Sequence, residues 1–278
     1  MPTTAERKPL IRYRYVILIV SVLVFLPPLT LLFQLTGEER FCGKWCPRMF
    51  FIWRLGQTWG MYASGYARAS LGVGLVAAIL ATTFFFGRHW CSHLCPVGGL
   101  SELGSRLVPR FLKVNYSGIP APGFRYGYFA VYLLAPAFGI GSLACNYCNF
   151  GTVPRLVGAP FSGADAAYFL RTTGLISLGL VVGLGFLAWG GRAYCNMLCP
   201  VGALDALSNF LGAKLGRRRV SVTPAKCTGC GHCAAVCPVW AIRDDRGKAR
   251  VDHLSCLPCR QCETVCPTGA IAYGKPSP

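Results

Sequence analysis

The chain has 278 residues, of which 53% are hydrophobic and only 14% are charged. Its mean hydropathy is positive, so the composition argues against an ordinary soluble protein and indicates a membrane protein. The formal charge of +18 does not indicate a nucleic-acid partner. It counts every thiol as neutral, and the Lys and Arg residues flank apolar runs, where they set membrane topology.

Four apolar segments are long enough to cross a bilayer as helices that rise about 1.5 Å per residue. They span residues 15–35, 70–86, 126–144 and 172–189. Basic residues precede the first segment, which places the N-terminus in the cytoplasm. That segment lacks a small-residue cleavage site, so we expect it to be retained rather than removed as a signal peptide.

The loops after the first and third segments each carry a cysteine pair on the outer side of the membrane. The pairs are Cys42 with Cys46 and Cys145 with Cys148. Three interpretations stay open for this outer quartet: an iron–sulfur cluster, disulfides or redox-active thiols in an oxidising compartment, or another metal such as copper. A full membrane span would separate these cysteines from the inner side by about 25–30 Å.

A cysteine motif follows the second apolar segment and returns after the fourth, 104 residues later. Its copies are Gly87–Gly98 and Gly191–Gly202, and both end in Cys-x-x-x-Cys-Pro-Val-Gly. Thiols four residues apart lie on one face of a helical turn, and we expect the proline to stop that helix. Each copy offers two sulfurs and a cluster needs four. We therefore expect one iron–sulfur cluster at the inner membrane face, held by an inner quartet of Cys91, Cys95, Cys195 and Cys199.

Two alternatives stay open around this motif. The four cysteines of the inner quartet could be ordinary buried thiols, which pack as small apolar side chains. Arg88 and Arg192, just before each pair, either stabilise thiolate charge or simply mark the inner interface. Apolar residues at helical spacing follow both copies and predict amphipathic helices on the inner surface, the first with Glu102, Arg106 and Arg110 on its polar face. The apolar residues are Leu100, Leu103, Leu107 and Phe111 after the first copy, and Leu204, Leu207, Leu211 and Leu215 after the second.

The membrane part, residues 1–219, is therefore a tandem duplication whose halves are about 1–115 and 116–219 and run in the same direction. Haem is not expected, because none of the four histidines lies within an apolar segment. We expect His89 and His93 to lie at the interface or behind the thiols, and His232 and His253 to face solvent.

The composition changes after Arg219, and residues 220–278 carry two runs of four cysteines that each end in Cys-Pro. This doubled run is the signature of a bacterial ferredoxin with two [4Fe-4S] clusters, in which each fourth cysteine serves the other cluster. Zinc is the minor alternative. Cluster 1 would take Cys227, Cys230, Cys233 and Cys266, and cluster 2 would take Cys256, Cys259, Cys262 and Cys237. The predicted fold is an all-α membrane bundle of four transmembrane helices followed by a small α+β two-cluster ferredoxin domain.

The four spans, both inner motifs and the C-terminal ferredoxin together resemble the NapH family of ferredoxin-type membrane proteins, which has MauN and the C-terminal part of NosR as relatives. The resemblance covers almost the whole chain. It implies a multi-pass protein of the bacterial plasma membrane with both termini in the cytoplasm. Such a protein would be the membrane subunit of a quinol dehydrogenase-type oxidoreductase, passing electrons between quinol and an iron–sulfur or cytochrome partner. The outer quartet departs from the nitrate-reduction members and suggests a different branch.

Two other functions stay open beside this one. The first is a maturation factor that reduces a metal or cofactor of another protein. The second is a quinone-linked thiol–disulfide relay, which the ferredoxin disfavours because such a relay needs no cytoplasmic clusters. Glu39, Arg40 and Trp45 are candidates for a quinone site, but an interfacial aromatic belt with solvated charges explains all three better.

Overall fold

The computed structural model describes residues 4–26, 58–68, 70–138 and 147–275. Its longer helices occupy the predicted apolar segments and the segments that follow the cysteine motifs. The helices are α1 (Thr4–Phe25), α2 (Trp59–Arg68), α3 (Ser70–Phe86), α4 (Pro96–Leu107), α5 (Ala121–Ala137), α6 (Asn149–Gly158), α7 (Gly163–Phe169), α8 (Thr172–Val181), α9 (Ala193–Met197), α10 (Pro200–Lys214), α11 (His232–Ala235) and α12 (Gln261–Val265). Two π-helical turns, Trp90–Leu94 and Val182–Phe186, complete the central region.

The lengths of the described helices do not confirm the four predicted membrane spans. Within the described ranges, no single helix combines the length and the apolar composition that a bilayer crossing requires. Only α7 taken together with α8 and its π-helical extension meets both criteria, and that pair is bent by 84° between Phe169 and Thr172. The four-helix membrane bundle therefore stays a prediction.

Several charged side chains lie inside this fold beside its apolar core, while many large apolar side chains are exposed. Arg14, Arg88, Arg192 and Glu102 are at most 2% exposed. Leu107, on the same helix as Glu102, is 87% exposed. Fully buried charged residues of this kind are rare unless they are paired.

The helices after the two motifs show this arrangement most clearly. We expected Glu102 on the polar face of a surface helix, but α4 buries Ser101, Glu102 and Ser105 and leaves Leu107 outside. In the same way α10 buries Asp205. The expected face was wrong because both carboxylates bind arginines from elsewhere in the chain. The helices pack accordingly, with α4 against α1 and α10 against α3 and α5.

The C-terminal part, residues 220–275, is small and of α+β type. Strand β1 (Arg219–Val222) pairs antiparallel with β4 (Ile271–Gly274), and β2 (Ile242–Asp245) pairs antiparallel with β3 (Lys248–Val251). The β2–β3 turn consists of Arg246 and Gly247, both with positive φ, as a two-residue type I′ hairpin turn requires. The short helices α11 and α12 lie between the strands and contact each other.

Candidate iron–sulfur sites

Both copies of the repeated motif begin with the same backbone bend. Gly87 has φ +92° and its equivalent Gly191 has φ +70°. A side chain at either position would be strained, so glycine is the residue that permits the chain to turn sharply out of the preceding segment. The arginine that follows each glycine is thereby directed into the interior of the fold.

The second cysteine of each motif lies at the start of the next helix. Cys95 and Cys199 have extended backbones and immediately precede Pro96 and Pro200, which are the first residues of α4 and α10. We expected the proline to end a helix, but it begins one, since proline has no N–H to leave unpaired and its fixed φ suits the first helical position. The Cys199 sulfur accepts a hydrogen bond from the Gly202 N–H at 3.3 Å.

The glycine that ends each motif provides room for the other half of the repeat. A Cβ on Gly98 would lie 2.0 Å from Nη1 of Arg192 and 3.3 Å from the sulfur of Cys195. A Cβ on Gly202 would lie 3.4 Å from Nη2 of Arg88. The close approach of the two copies therefore explains the glycine at position 98, whereas a Cβ on Gly202 would first meet the Cys195 carbonyl oxygen of its own motif at 2.8 Å.

Two buried ion pairs cross between the halves. Arg88 of the first half donates from Nε to Oδ2 of Asp205 in the second half at 2.8 Å. Arg192 of the second half donates from Nε to Oε2 of Glu102 in the first half, also at 2.8 Å. Arg192 additionally donates to the backbone carbonyl of Cys91 at 2.7 Å. Arg88 and Arg192 are too deeply buried to be residues that simply mark the inner membrane interface, which was one of their two interpretations.

Arg14 of α1 completes this charge network. It donates from Nη1 and Nη2 to the two carboxylate oxygens of Glu102 at 2.8 and 2.6 Å, and from Nε to the carbonyl of Ser92 at 3.0 Å. Burial alone would raise the pKa of Glu102, but the charges of Arg192 and Arg14 outweigh it and lower that pKa to about 2. Glu102 is therefore ionised throughout the neutral range.

The structure brings the two cysteine pairs of the inner quartet together. Burial, and then the charge of Cys195 from the other half, raise the pKa of the Cys95 thiol to about 11. Burial and Cys195 also raise the pKa of the Cys199 thiol. A Cβ on Gly98, in the helix that follows Cys95, would lie 3.3 Å from the Cys195 sulfur, so the two pairs approach each other there. The donor set fits a thiolate-ligated cluster, and loading would release the thiol protons.

One contact of the inner quartet must change when metal is bound. The Cys91 thiol donates a hydrogen bond to Oδ2 of Asp205 at 3.2 Å. A metal-bound thiolate has no proton to donate, so this contact belongs to the protonated thiol. Asp205 keeps its bonds from Arg88 at 2.8 Å and from the Thr83 hydroxyl at 2.5 Å when that contact is lost.

The cysteines predicted for cluster 1 line one cavity in the C-terminal part. Cys227, Cys230, Cys233 and Cys266 all face it. The Cys227 sulfur accepts a hydrogen bond from the Ala249 N–H at 3.4 Å, and the Cys266 sulfur accepts one from the Ala270 N–H at 3.3 Å. Backbone donors of this kind stabilise negative charge on sulfur, which a cluster ligand carries.

The cysteines predicted for cluster 2 form a second, more deeply buried group. Cys237, Cys256, Cys259 and Cys262 are each at most 9% exposed. Burial, and then the charge of Cys259, raise the pKa of the Cys237 thiol to about 11. The Cys237 sulfur accepts a hydrogen bond from the Ala241 N–H at 3.3 Å. Arg14 lowers the pKa of Cys259 against the larger effect of burial, so the charge network also faces this site.

No two of the described cysteines are joined by a disulfide. The described cysteines are Cys91, Cys95, Cys148, Cys195, Cys199, Cys227, Cys230, Cys233, Cys237, Cys256, Cys259, Cys262 and Cys266. Among the residues described, no three His, Cys, Asp or Glu side chains are grouped as they would be around one metal ion. Cys42, Cys46 and Cys145 lie outside the described residues, as do Glu39, Arg40 and Trp45, so the predictions for the outer quartet and the quinone site are unchanged.

Cys148, the described member of the outer quartet, lies much closer to the inner quartet than a full membrane span would allow. The Tyr194 hydroxyl, one residue before Cys195, accepts from the Asn149 N–H at 3.2 Å and donates to the Tyr147 carbonyl at 3.3 Å. One tyrosine side chain therefore bridges the two motifs. The expected separation of about 25–30 Å is wrong for Cys148, because α6 turns back and packs near Cys95.

The inner quartet and the C-terminal part share one apolar core. Cys91 is buried in the same cluster as Cys237, Cys256 and Cys262, with Trp90 packed against it. Sequence reasoning did not foresee the polar residues that hold this junction, which are Arg125, Asn196 and Asn209. Asn196 donates to the Val239 carbonyl at 3.1 Å, Asn209 donates to the His253 carbonyl at 2.6 Å, and Arg125 donates to the Leu254 carbonyl at 2.5 Å.

The histidines are placed partly as expected. His89 and His93 stack with ring centroids 5.2 Å apart, and His89 bonds the Tyr273 hydroxyl at 3.2 Å. His232 is exposed. His253 was expected in solvent but is half-buried, because its backbone carbonyl is held by Asn209 at the junction.

Comparison with known proteins covers both halves of the repeat and the C-terminal part. A family model described as a 4Fe-4S binding domain matches residues 69–115, and two models described as 4Fe-4S dicluster domains match residues 191–241 and 226–271. The putative electron transport protein YccM of Escherichia coli is 30% identical over 64% of this chain and 48% of its own length. The methylamine utilization ferredoxin-type protein MauN of Methylobacillus flagellatus is 30% identical over 59% of this chain and 54% of its own. The ferredoxin-type protein NapH of Escherichia coli is 29% identical over 63% and 56%.

The chain is similar to the ferredoxin-type proteins NapH and MauN and shares their 4Fe-4S binding domains. It spans about half the length of the curated relatives it matches. No solved structure matches it.

The cofactor of this ferredoxin-type protein is the [4Fe-4S] cluster. The three matched ranges contain every cysteine of the inner quartet and of the C-terminal part, and none of the outer quartet. The grouping of particular cysteines around particular clusters remains a prediction, which the observed neighbourhoods fit.

Proposed function

We propose that this protein transfers electrons between the quinone pool of a bacterial plasma membrane and a redox partner protein, through [4Fe-4S] clusters held by the inner quartet and the C-terminal part. The observation that carries this proposal is the shared core of Cys91 with Cys237, Cys256 and Cys262. That core joins the inner quartet to the cysteines predicted for cluster 2 with no solvent between them. Neighbouring clusters there would exchange electrons through packed protein.

The burial of their cysteines suggests an order for the three predicted cluster sites along one electron-transfer path. The inner quartet adjoins cluster 2, whose cysteines are all buried. Cluster 1 follows, and its Cys230 is exposed. When bound, each cluster supplies one-electron redox chemistry. The cysteines of the second site are all buried, and the third site has the one exposed cysteine among the three sites, so the third is the point of exchange with a soluble partner.

The buried arginines offset negative charge along this path. Arg88 acts on the inner quartet and on Cys256, while Arg14 acts on Cys259. Sulfur ligands carry negative charge that burial would otherwise make costly. Glu102 and Asp205 fix the orientation of the guanidinium groups. These residues therefore position charge and take no part in electron transfer themselves.

The distribution of side chains supports the membrane location. Apolar residues of α1 face outward, with Val16 and Leu23 both 56% exposed, while Arg14 of the same helix is buried. Phe111, which follows α4, is 84% exposed. Large outward apolar surfaces of this kind need a covering, and lipid provides one. We propose a multi-pass protein with both termini in the cytoplasm.

The quinone link is supported by the family resemblance alone. Its test is the reduction of anaerobically purified protein by a short-chain quinol, followed by electron paramagnetic resonance of the clusters, with dithionite as the reference reductant. Quinol-dependent signals support the proposal. Signals with dithionite and none with quinol would contradict the quinone link and favour a maturation factor that reduces another protein.

The cluster assignment has its own test. Iron and acid-labile sulfide should correspond to about three clusters in the inner quartet and the C-terminal part, each with four iron atoms by definition. Cys91→Ser/Cys195→Ser should lose about one cluster and keep the two ferredoxin-type signals. An unchanged iron content in that variant would show that the inner quartet consists of structural thiols.

A further inference from the structure

We propose that an acidic redox protein docks on the surface around Cys230, which we name the cluster-1 face. It comprises the exposed residues of the segments 226–232 and 243–250. This inference rests on the proposed electron transfer and adds the site and the chemistry of the partner. The transfer moves one electron from reduced cluster 1 to an oxidised one-electron cofactor of the partner, with no bond or proton exchanged.

The cluster-1 face is the most open of the three cysteine sites. Cys230 is exposed and Cys227 and Cys266 are half-buried, whereas the cysteines predicted for cluster 2 are all buried. Arg243 and Asp244 line the same cavity as these sulfurs. A partner that contacts this face would therefore bring its cofactor closer to cluster 1 than to either other site.

The cluster-1 face carries most of the net positive charge at the surface of the C-terminal part. Its basic residues are Lys226, Arg243, Arg246, Lys248 and Arg250, against Asp244 and Asp245. Away from the face, Arg260 and Lys275 stand against Asp252, and Arg260 is paired with the buried Glu263. A concentrated positive patch attracts and orients a partner of opposite charge.

The basic hairpin is fixed against the cluster-1 loop. Lys248 donates from Nζ to the Cys227 carbonyl at 2.5 Å. Gly229, between Cys227 and Cys230, lies against the β2–β3 turn so closely that a Cβ there would be 2.4 Å from the Gly247 carbonyl oxygen. The charges are thus held in place before a partner arrives, which lowers the entropic cost of docking.

A soluble partner fits this face better than a lipid surface. In residues 216–275 no large apolar side chain is exposed, whereas Leu107 and Phe111 are more than four-fifths exposed elsewhere in the structure. Peripheral binding to a membrane combines basic residues with apolar side chains that insert below the headgroups. The cluster-1 face has the first feature and lacks the second.

The first experiment measures binding of the cluster-loaded protein to an immobilised flavodoxin, an acidic one-electron carrier, and to an immobilised basic cytochrome c. We expect binding to flavodoxin at low salt that weakens as salt increases, and weaker binding to cytochrome c. Lys226→Glu/Lys248→Glu should weaken flavodoxin binding by about tenfold or more. Lys275→Glu, a reversal away from the face, should leave it unchanged. Equal weakening by both variants, or no binding of flavodoxin at low salt, would overturn the proposal.

A second measurement distinguishes a protein partner from lipid. Lys226 and Lys248 should react with an amine-labelling reagent equally fast in nanodiscs of neutral and of anionic phospholipid, and more slowly once flavodoxin is added. Protection by anionic lipid alone would overturn the proposal. Arg246→Glu/Arg250→Glu reverses two exposed charges of the face that are not bonded to a cluster-1 cysteine. It should weaken flavodoxin binding while iron content and quinol-dependent cluster reduction stay unchanged, so that loss of docking is distinguishable from failure of the proposed electron transfer.

Discussion

The guanidinium of Arg192 donates from Nε to the carboxylate of Glu102 at 2.8 Å, although the two residues belong to different halves of the repeat. Arg88 makes the corresponding bond to Asp205 in the opposite direction. Each half therefore supplies the carboxylate that holds the arginine of the other. These two crossed ion pairs hold the two halves together beside the inner quartet, so that both halves contribute to one site.

Arg88→Gln should destabilise the protein more than Arg192→Gln. Among the described contacts, Arg88 is the one cation bonded to Asp205, so its loss leaves a buried carboxylate without a counter-charge, at about 3–5 kcal/mol. Glu102 keeps both bonds from Arg14 when Arg192 is lost, so that substitution should cost about 1–3 kcal/mol. Urea unfolding followed by circular dichroism measures the difference.

The double variant Arg88→Gln/Asp205→Asn is the control for this comparison. It removes both charges together and should recover part of the stability that Arg88→Gln loses. A double variant no more stable than the single one, or a larger loss for Arg192→Gln than for Arg88→Gln, would contradict the proposed division of roles.

Gly98→Ala should prevent assembly of the inner cluster. Its methyl group would lie 2.0 Å from Nη1 of Arg192 and 3.3 Å from the Cys195 sulfur, so the two halves would have to separate. We expect the iron content to fall by about one cluster's four atoms while the two ferredoxin-type signals remain. Gly127→Ala is the matched control, because a Cβ there meets nothing within 4 Å. Full iron content in Gly98→Ala would show that this close approach is dispensable.

The sequence predicted best what is encoded locally or by repetition. The matching motifs predicted that Cys95 and Cys195 would become neighbours, and they lie close enough to influence each other. The doubled cysteine run predicted which sulfurs would share a cavity in the C-terminal part, since ligand spacing is a property of the chain itself.

What the sequence could not predict depends on partners distant in the chain. Helical spacing put Glu102 on a polar face, but which side of α4 faces inward is decided by Arg14 and Arg192, about 90 residues away on either side. One signal was present, because Glu102, Asp165 and Asp205 are the only acidic residues between positions 69 and 219. Because acidic residues are so rare in this part of the sequence, their pairing with the nearby arginines could have been predicted.

Ionisation of Glu102 should add no pH dependence to cluster retention between about pH 8 and 5, so the unmodified protein and Glu102→Gln should have the same pH profile there. The folded-state pKa of Glu102 is depressed to about 2, so its stabilising effect is complete above its unfolded pKa of about 4.3 and is lost only as the pH falls through about 2. Iron retained after incubation at each pH measures this. A loss centred between pH 5 and 8 that Glu102→Gln abolishes would contradict the assignment.

Cys42→Ser/Cys145→Ser tests whether the outer quartet holds a further cluster. Cys148 adds to the charge felt by Cys199, so a cluster on the outer quartet would lie near the inner one. A cluster on the outer quartet predicts that the variant loses about four iron atoms relative to the unmodified chain, together with one cluster signal. The inner-cluster signal should shift slightly, because a neighbouring charge has been removed. If instead iron stays at about three clusters and thiol titration of the unmodified protein finds the outer cysteines oxidised, they form disulfides and electron exchange is confined to the inner side.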